Sequence, residues 1–477
     1  MEGRTGGWFI NIIVIPLLFF LALVLPPLAL PQRVFSAGYE SISAKGGGVT
    51  VADGTKLAIP EGATRNGTSV KLSAMARDAF MKSPLAQNLP AVLDIKSPLY
   101  QPNVQGQVPS LAILSIPIPD GADPLTTVDV YGYIGKKWTK LPFQIYLDDQ
   151  VIETYLTGAM PEGVVVAQTQ AQTPAISADL SAKGALPPPA GAVLAEVNPI
   201  GLTIADSGGI AGNVPAVPEA GPSSPYAVLP TVGNVVGNQL RTDLTDDMIT
   251  NADMRKDHVQ ALVDLAVEKL YPGLNIDYQG VTPDNKNEFT AFVRELAAAL
   301  HAKDKILSVA VSMPSPKAAD TWDTGPFDWD AIGQSADIVK IPVPSNREAY
   351  TGNPSLFENY LQWAVGHVDR YKLELTFSAS GRDEFGPSYA PISFANALKL
   401  MGPLTAVDKV EPGDKVTFDL PRLRESGLKY DAPTGLYSFT YKDDKGQVHT
   451  VWLENVESVA KKMAFALKFN LRGVSLR

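Results

Sequence analysis

The spacing of hydrophobic and polar residues changes once along this chain and divides it into two regions. Between residues 38 and 168, short stretches alternate with period two on either side of turn residues, as around Ala52-Asp53-Gly54-Thr55. Period two is typical of half-buried strands, and closely spaced short strands favour an all-β sandwich. From residue 191 to the end, strand-like stretches alternate with helical spacing, which predicts an α/β fold.

The segment 274–279 is the centre of the second region. Its apolar positions alternate with polar ones in the order Leu-Asn-Ile-Asp-Tyr-Gln, which predicts a strand with one polar face. Apolar residues recur at helical spacing on both sides of it, namely Val259, Leu262, Val263, Ala266 and Leu270 before, and Phe289, Phe292, Val293, Leu296 and Leu300 after. A parallel (β/α)8 barrel presents its site in this way, with polar groups at the carboxyl end of a strand.

Seven barrel strands are predicted in total, at 193–204, 226–232, 274–278, 306–311, 338–343, 373–378 and 473–476. Because a closed barrel needs eight, the first strand is either Val164-Val165-Val166, otherwise part of the sandwich, or absent, which leaves the barrel incomplete. The Pro-, Ala- and Gln-rich segment 169–190 is predicted to be a linker. An α+β insertion is expected at about 385–450, as a cap over the barrel mouth.

Composition excludes several classes of function. The net charge of −10 and the pI near 5.1 argue against a nucleic-acid partner. There are no cysteines and the four histidines are scattered, so neither a thiolate chemistry nor a metal site is expected, and no cofactor motif is present.

The first 37 residues contain an apolar stretch from Trp8 to Leu30 that is long enough to cross a bilayer. It is interpreted either as a cleaved signal peptide or as an N-terminal membrane anchor, and both alternatives stay open. In either case the rest of the chain is expected outside the cell or at its surface.

The segment 271–279, Tyr-Pro-Gly-Leu-Asn-Ile-Asp-Tyr-Gln, resembles the signature strand of family 18 glycoside hydrolases, the chitinases and their relatives. Their usual motif is Asp-Gly-x-Asp-x-Asp-x-Glu, and the bacterial spore-germination and cortex-lytic branch is most similar. The resemblance continues through Val451-Trp452-Leu453-Glu454-Asn455 and Leu471-Arg472-Gly473-Val474 and covers residues 191–477. The region 38–168 more weakly resembles the β-sandwich domain of netrin receptors and ankyrins, through its Gly-Gly-x-Val-x-Val and Leu-x-Ile-Pro-x-Gly-Ala motifs.

The resemblance also assigns roles to the signature strand. Gln279 stands where the family has the glutamic acid that protonates the glycosidic oxygen, and Asp277 matches the aspartate that orients the substrate's acetamido group. A general acid contributes about 10²–10⁴-fold to the rate, and an amide cannot replace it. The family's second motif, Met-x-Tyr-Asp, is lost at Pro344 and Ser345, and Arg477 occupies the position of the tryptophan that floors the pocket.

Four further residues are candidates for contact with a glycan. Asn275 and Tyr278 flank Asp277 on the signature strand, and Trp322 and Trp329 offer aromatic faces for stacking; the alternative is that all four are structural.

Three functions follow from these residues. The leading hypothesis is an exported protein that binds an N-acetylglucosamine-containing polymer, peptidoglycan or chitin-like, with impaired hydrolysis. The first alternative is a weak glycosidase on the same polymers that uses another acid, such as Asp284 or Glu288. The second alternative is a structural cell-surface protein without sugar affinity.

Overall fold

The computed structural model describes residues 38–477 except 66, 182–183, 185, 187–190, 218–223, 319–320, 379 and 402–426. These residues form two compact units, the first made mostly of residues 38–167 and the second of residues from 168 onward with the short segments 92–94 and 123–129. The predicted signal peptide or anchor lies outside the described residues. Within the described residues, no helix has the length and apolarity needed to span a membrane.

The first unit is all-β apart from short helical turns, as predicted. Its strands are β1 Glu40–Ile42, β2 Gly47–Thr50, β3 Lys56–Ile59, β4 Thr68–Met75, β5 Leu93–Ile95, β6 Leu99–Gln105, β7 Ala112–Pro117, β8 Val128–Ile134, β9 Lys137–Lys140, β10 Phe143–Tyr146, β11 Val151–Leu156 and β12 Gly163–Thr169, with one short helix, α1 Arg77–Phe80. They form a sheet in the order β1-β4-β6-β12-β8-β9, with β5 on β12, and an antiparallel sheet in the order β10-β11-β7-β3-β2. The turn residues 52–55 connect β2 and β3 in a hairpin, with Thr50 opposite Lys56.

The core of the second unit is a closed barrel. Its strands are β13 Ala175–Leu180, β14 Glu196–Ile204, β17 Thr231–Gly233, β20 Gly273–Asp277, β21 Ile306–Ala310, β24 Ile338–Pro342, β25 Leu373–Phe377 and β31 Gly473–Leu476. Over the described part of the chain these eight strands pair in parallel all the way round, and β13 closes the ring by pairing with both β14 and β31. Short strands accompany them at β15 Ile210–Gly212, β16 Ala227–Val228, β18 Val235–Val236, β19 Gln239–Leu240, β22 Ser315–Ala318 and β23 Thr321–Asp323.

The prediction for the first barrel strand was wrong. Val164–Val166 lies in β12 of the first unit, whereas the barrel begins with β13, inside the segment predicted to be a linker. The composition of that segment is misleading because β13 reads Ala-Ile-Ser-Ala-Asp-Leu and lacks the continuous apolar run that is typical of a strand in a parallel sheet. The barrel is therefore complete.

The helices pack around the barrel through their apolar faces. They are α2 Thr242–Thr250, α3 Ala252–Glu268, α4 Lys286–His301, α5 Trp329–Ser335, α6 Leu356–His367 and α8 Val456–Lys468. The predicted apolar positions of α3 and α4 are buried in the core, except that Leu270 lies beyond the end of α3, with a φ of 58° and a side chain 78% exposed. At a positive φ the chain has left the helix, so the side chain of Leu270 does not continue the apolar face that the helical spacing predicted.

The insertion lies between β25 and β31. It consists of β26 Gly381–Phe385, β27 Ser388–Ile392, helix α7 Phe394–Leu400, β28 Lys429–Asp431, β29 Leu436–Lys442 and β30 Val448–Leu453. The strands form an antiparallel sheet in the order β27-β26-β30-β29-β28, with a small apolar core that includes Leu398, Phe439 and Val451. The α+β character expected for this insertion is confirmed.

Candidate functional site

Strand β20 carries the signature residues to the carboxyl end of the barrel. Gly273 opens the strand where an added Cβ would lie 2.2 Å from the carbonyl oxygen of Ile306, so only glycine fits this close approach. Successive side chains then alternate, with Leu274 and Ile276 in the apolar core and Asn275 and Asp277 on the other face. The predicted polar face of the strand is thus directed into the barrel.

The two carboxylate oxygens of Asp277 already have partners. Oδ1 accepts a hydrogen bond from Gln279 Nε2, and Oδ2 accepts one from Arg477 Nη2 at 2.6 Å. The side chain of Asp277 is 18% exposed, so little water competes for these oxygens. Each oxygen keeps a further lone pair, so an acetamido group that bound here would share the carboxylate with these two donors.

Gln279 is held at both its side chain and its backbone. Its Oε1 accepts a hydrogen bond from Ser312 Oγ at 3.1 Å, opposite the bond that its amide nitrogen makes to Asp277. Its backbone N–H donates to Asn234 Oδ1 at 3.0 Å, and its carbonyl accepts from Asn234 Nδ2 at 2.7 Å. The amide therefore uses its donor and its acceptor on fixed neighbours, an arrangement that a carboxylate cannot reproduce.

Arg477 joins two strands across the barrel mouth. Its Nη2 contacts Asp277, and its Nε lies 3.2 Å from Asp179 Oδ2, at the end of β13. Burial raises the pKa of the Asp179 carboxyl, and this effect outweighs Lys340 and Arg477, which act in the opposite direction. A cation thus occupies the position where the family resemblance implied a tryptophan.

Two of the predicted glycan contacts on β20 are internal. Asn275 is 1% exposed, donates to Thr231 Oγ1 at 3.0 Å and accepts from Ser308 Oγ at 2.8 Å. Tyr278 is fully buried on the opposite face, where its hydroxyl shares a 2.6 Å hydrogen bond with His258 Nε2. Both side chains are buried and bonded to protein neighbours, which fits the structural alternative better.

The two predicted stacking tryptophans also pack against protein. Trp329 is 3% exposed, and its ring lies edge-on to Tyr360, with the ring centroids 6.1 Å apart. Trp322 is partly exposed and packs on Tyr360 and Trp363, at centroid distances of 5.6 and 6.2 Å. Neither lines the cleft described below, so the alternative interpretation of structural packing fits them better.

Below the mouth, the barrel interior holds a buried network of charges. Lys340 is 2% exposed and its Nζ lies 2.9 Å from Glu196 and 3.9 Å from Glu374. Ser177 Oγ donates to Glu374 at 2.8 Å, and Lys340 also donates to Asn198. Buried charges need partners of this kind, and since Lys340 is enclosed by them we assign the network to the structure of the barrel.

A cleft of about 660 Å³ opens at the carboxyl ends of β24, β25 and β31, beside the insertion. Pro344 and Ser345, at the lost second motif, line it together with Arg477 from the last strand. The carbonyl of Pro344 accepts a 2.7 Å hydrogen bond from Tyr350, so that hydroxyl is already engaged. The insertion contributes Tyr389 and Trp452 among other side chains. This volume lies in the range of small-molecule sites.

Over the part of the chain that the structure describes, the direct hydrogen-bond partners of Asp277 include no acid. The hydrogen-bond partners of the Asp277 side chain, among the described residues, are an amide and a guanidinium, and neither donates a proton at neutral pH. The alternative acids Asp284 and Glu288 lie on the turn and helix that follow, and neither contacts Asp277 or lines the cleft. Within the described residues, no group of three or more acidic or histidine side chains is arranged to hold a metal ion.

The sequence did not predict three residues that hold the site in place although they are distant from it along the chain. Asn234, Ser312 and Asp179 hold Gln279 and Arg477, yet they lie on other strands or on the loops that follow them. Their position at the ends of strands could have indicated them, because side chains at the carboxyl ends of neighbouring parallel strands converge. Asp179 carried no such signal because its strand was not predicted.

A closed parallel barrel with polar groups at its carboxyl end and an α+β insertion before the last strand defines a chitinase-type barrel protein. Residues 235–476 match the model of "Glycosyl hydrolases family 18", and the chain belongs to this family.

Several Bacillus proteins are similar to it. The chain is 26% identical over 244 residues to the "Uncharacterized glycosylase YvbX" of Bacillus subtilis, covering 49% of this chain and 64% of the relative. It is 19% identical to the "Cortical fragment-lytic enzyme" of the same organism, covering 51% and 54%. The crystal structure of the Bacillus megaterium spore cortex-lytic enzyme SleL has a TM-score of 0.51 at 16% identity, over 67% of this chain and 74% of that one, and supports the fold alone. The matches thus span less than two thirds of these curated relatives.

Proposed function

We propose that this chain is a glycan-binding member of family 18 that holds N-acetylglucosamine-containing polymers, peptidoglycan or chitin-like, without efficient hydrolysis. The observation that carries the proposal is the state of Asp277, whose two oxygens are bonded to Gln279 and Arg477. The acid is replaced by an amide, and the remaining carboxylate is neutralised by a guanidinium. The direct partners of Asp277 among the described residues therefore include no acid, and its carboxylate is shared with two donors.

The capacity to bind rests on the cleft and not on Asp277. The cleft holds the exposed ring of Tyr389 and the indole of Trp452 together with hydrogen-bonding side chains, a combination that suits sugar rings with one apolar face and several hydroxyls. The cortical fragment-lytic relatives make a cell-wall glycan the first polymer to test.

Co-sedimentation with insoluble peptidoglycan and with chitin tests the binding. We expect the protein in the pellet with at least one polymer, and no release of chromophore from a chromogenic chitobioside. A protein that stays in the supernatant with both polymers supports the structural alternative. Rapid chromophore release refutes the impaired hydrolysis.

One observation favours weak hydrolysis as a second candidate. Asp179 shares Arg477 with Asp277, and burial raises the pKa of its carboxyl, which makes it the candidate acid to test beside the signature strand. If any turnover is measured, Asp179→Asn should abolish it, whereas Glu288→Gln should leave it unchanged. Turnover that survives Asp179→Asn would exclude Asp179 as the acid.

Export is proposed from the apolar stretch in residues 8–30, as a signal peptide or as an anchor, and from the cell-wall setting of the cortex-lytic relatives. Cell fractionation should find the chain in the membrane or the external fraction. Full-length protein in the soluble cytoplasmic fraction would contradict export.

A further inference from the structure

Three arginines from separate parts of the second unit line the same cleft. Arg347 comes from the turn after β24, Arg382 from the insertion strand β26, and Arg477 follows β31. Their side chains are 48%, 27% and 38% exposed, in that order. A neutral polymer offers no charged group with which these three guanidinium groups could pair.

Each of these guanidinium groups keeps unused donors. A guanidinium has five N–H bonds. Arg347 uses Nε on Asp431, Arg382 uses Nη2 on Glu384, and Arg477 uses Nε and Nη2. Among the described residues, the Nη groups of Arg347, Nε and Nη1 of Arg382 and Nη1 of Arg477 contact no acceptor.

The carboxylates of the cleft are more fully engaged than the arginines. Glu384 pairs with Arg382 and accepts a 3.0 Å hydrogen bond from Trp452 Nε1. Glu454 pairs with Lys462 and accepts a 2.7 Å bond from Ser458. With Glu348, the lining holds three carboxylates against four cationic side chains. Asp431, Asp277 and Asp179 also pair with Arg347 and Arg477, so the cleft has no excess of positive charge. What it offers to a ligand is the guanidinium N–H groups that these carboxylates do not use.

A place for a sugar ring lies next to one of these arginines. Tyr389 is 65% exposed, and the guanidinium carbon of Arg382 lies 5.5 Å from the centre of its ring. This contact holds the arginine beside an open aromatic surface. A sugar packed against Tyr389 would bring its substituents within reach of the unused donors of Arg382.

We propose that the cleft selects amino-sugar polymers whose sugars carry carboxylates over neutral ones, with Arg347 and Arg382 as the selecting residues. Guanidinium groups bind carboxylates through paired hydrogen bonds, and a neutral N-acetylglucosamine polymer offers no such partner. This inference rests on the proposed function, because it names the class of polymer that the same site binds.

The test compares four ligands with the unmodified protein by calorimetry in 0.15 M salt, where long-range repulsion is screened. The first is peptidoglycan glycan strands freed of peptides by an amidase, so that every second sugar carries a free lactyl carboxylate. The second is the same strands with those carboxylates converted to amides. Intact peptidoglycan fragments and a neutral N-acetylglucosamine oligomer are the third and fourth. We expect roughly tenfold tighter binding of the carboxylated strands than of the amidated strands.

Arg347→Gln and Arg382→Gln should each weaken binding of the carboxylated strands by roughly three- to tenfold and leave the neutral oligomer unaffected. Arg294→Gln is the matched control, because Arg294 is an exposed arginine on α4 outside the cleft and its loss removes the same charge. Thermal unfolding of each variant checks that it is folded, and the comparison of carboxylated with amidated strands requires no variant.

The outcomes separate this inference from the function on which it rests. Equal binding of carboxylated, amidated and neutral polymers overturns carboxylate selection and leaves glycan binding in place. Binding of peptide-bearing fragments alone also overturns it, since the carboxylates recognised would then be those of the peptide. Binding of none of the four refutes glycan binding itself, and carboxylate selection with it.

Discussion

At the mouth of the barrel, the side chain of Gln279 links two neighbouring residues. Its amide donates to Asp277 and accepts from Ser312, so it links two strand ends that a carboxylate would leave without one of these bonds. Together with Arg477 it places Asp277 in a chain of contacts that runs from Ser312 to Asp179. At the scale of single residues, these contacts fix the position of the Asp277 carboxylate.

Gln279→Glu should therefore not restore hydrolysis. The new carboxyl would face Asp277 without the amide donor, while Arg477 still holds Asp277 and the lost groups at Pro344 and Ser345 stay lost. Residues that act as a unit fail as a unit, so one restored member recovers little. Chromophore release from a chitobioside should remain at background, as for the matched variant Gln279→Ala. Robust turnover by Gln279→Glu alone would show that the site is one residue away from activity.

The buried pair of His258 and Tyr278 gives the barrel a dependence on pH. Burial lowers the pKa of His258 from 6.5 to about 4, so the folded protein keeps this side chain neutral where the unfolded chain would protonate it. The unfolded state then binds more protons between pH 4 and 6.5, and stability is lost as the pH falls through this window. Across this window the free energy of unfolding falls by about 3 kcal/mol.

Urea unfolding at several pH values checks this expectation. His258→Gln should flatten the decline in the free energy of unfolding between pH 6.5 and 4. Tyr278→Phe, which removes the shared hydrogen bond and keeps the histidine, should retain the decline. An unchanged slope in His258→Gln would mean that other groups cause the pH dependence.

At the scale of elements, the closure of the barrel depends on β13, a strand that the sequence pattern did not predict. β13 pairs with β14 along one edge and with β31 along the other, and it carries Asp179 to Arg477. Without it, two parallel strands would expose unpaired backbone groups, which natural barrels avoid.

A fragment of residues 168–477 should accordingly unfold cooperatively, and one of residues 192–477 should not. The second fragment lacks β13, and with it the closure of the ring. Circular dichroism during heating distinguishes a sharp transition from a gradual loss of signal. Equal midpoints and equal sharpness for the two fragments would show that β13 is dispensable.

The elements that the sequence predicted well are those whose own residues determine them. β20, α3 and α4 have strong period-two or helical spacing, and the structure places their apolar faces in the core. β13, in contrast, reads Ala-Ile-Ser-Ala-Asp-Leu and takes its conformation from partners that are distant along the chain.

The site was predictable only in part for a similar reason. Asp277 and Gln279 were found from their strand, but the contact from Arg477 to Asp277 spans 200 residues and leaves no local pattern. The sequence left the roles of Trp322 and Trp329 open because a tryptophan suits both stacking on sugars and packing in a core. Only the positions of their neighbours decide between the two.

At the scale of the whole molecule, three arginines of an acidic chain line one cleft, and one of them, Arg477, also contacts Asp277 on the signature strand. This combination favours retention of a polymer over its cleavage. The central claim is therefore that the protein binds an N-acetylglucosamine polymer and leaves it intact.

Proton NMR of an N-acetylglucosamine tetramer mixed with the unmodified protein measures both parts of this claim in one sample. Broadening of the acetyl methyl signals reports binding, and the anomeric signals of new reducing ends report hydrolysis over a day. We predict broadened methyl signals and a constant reducing-end signal. A rising reducing-end signal, or methyl signals as sharp as those of the free tetramer, would contradict the account.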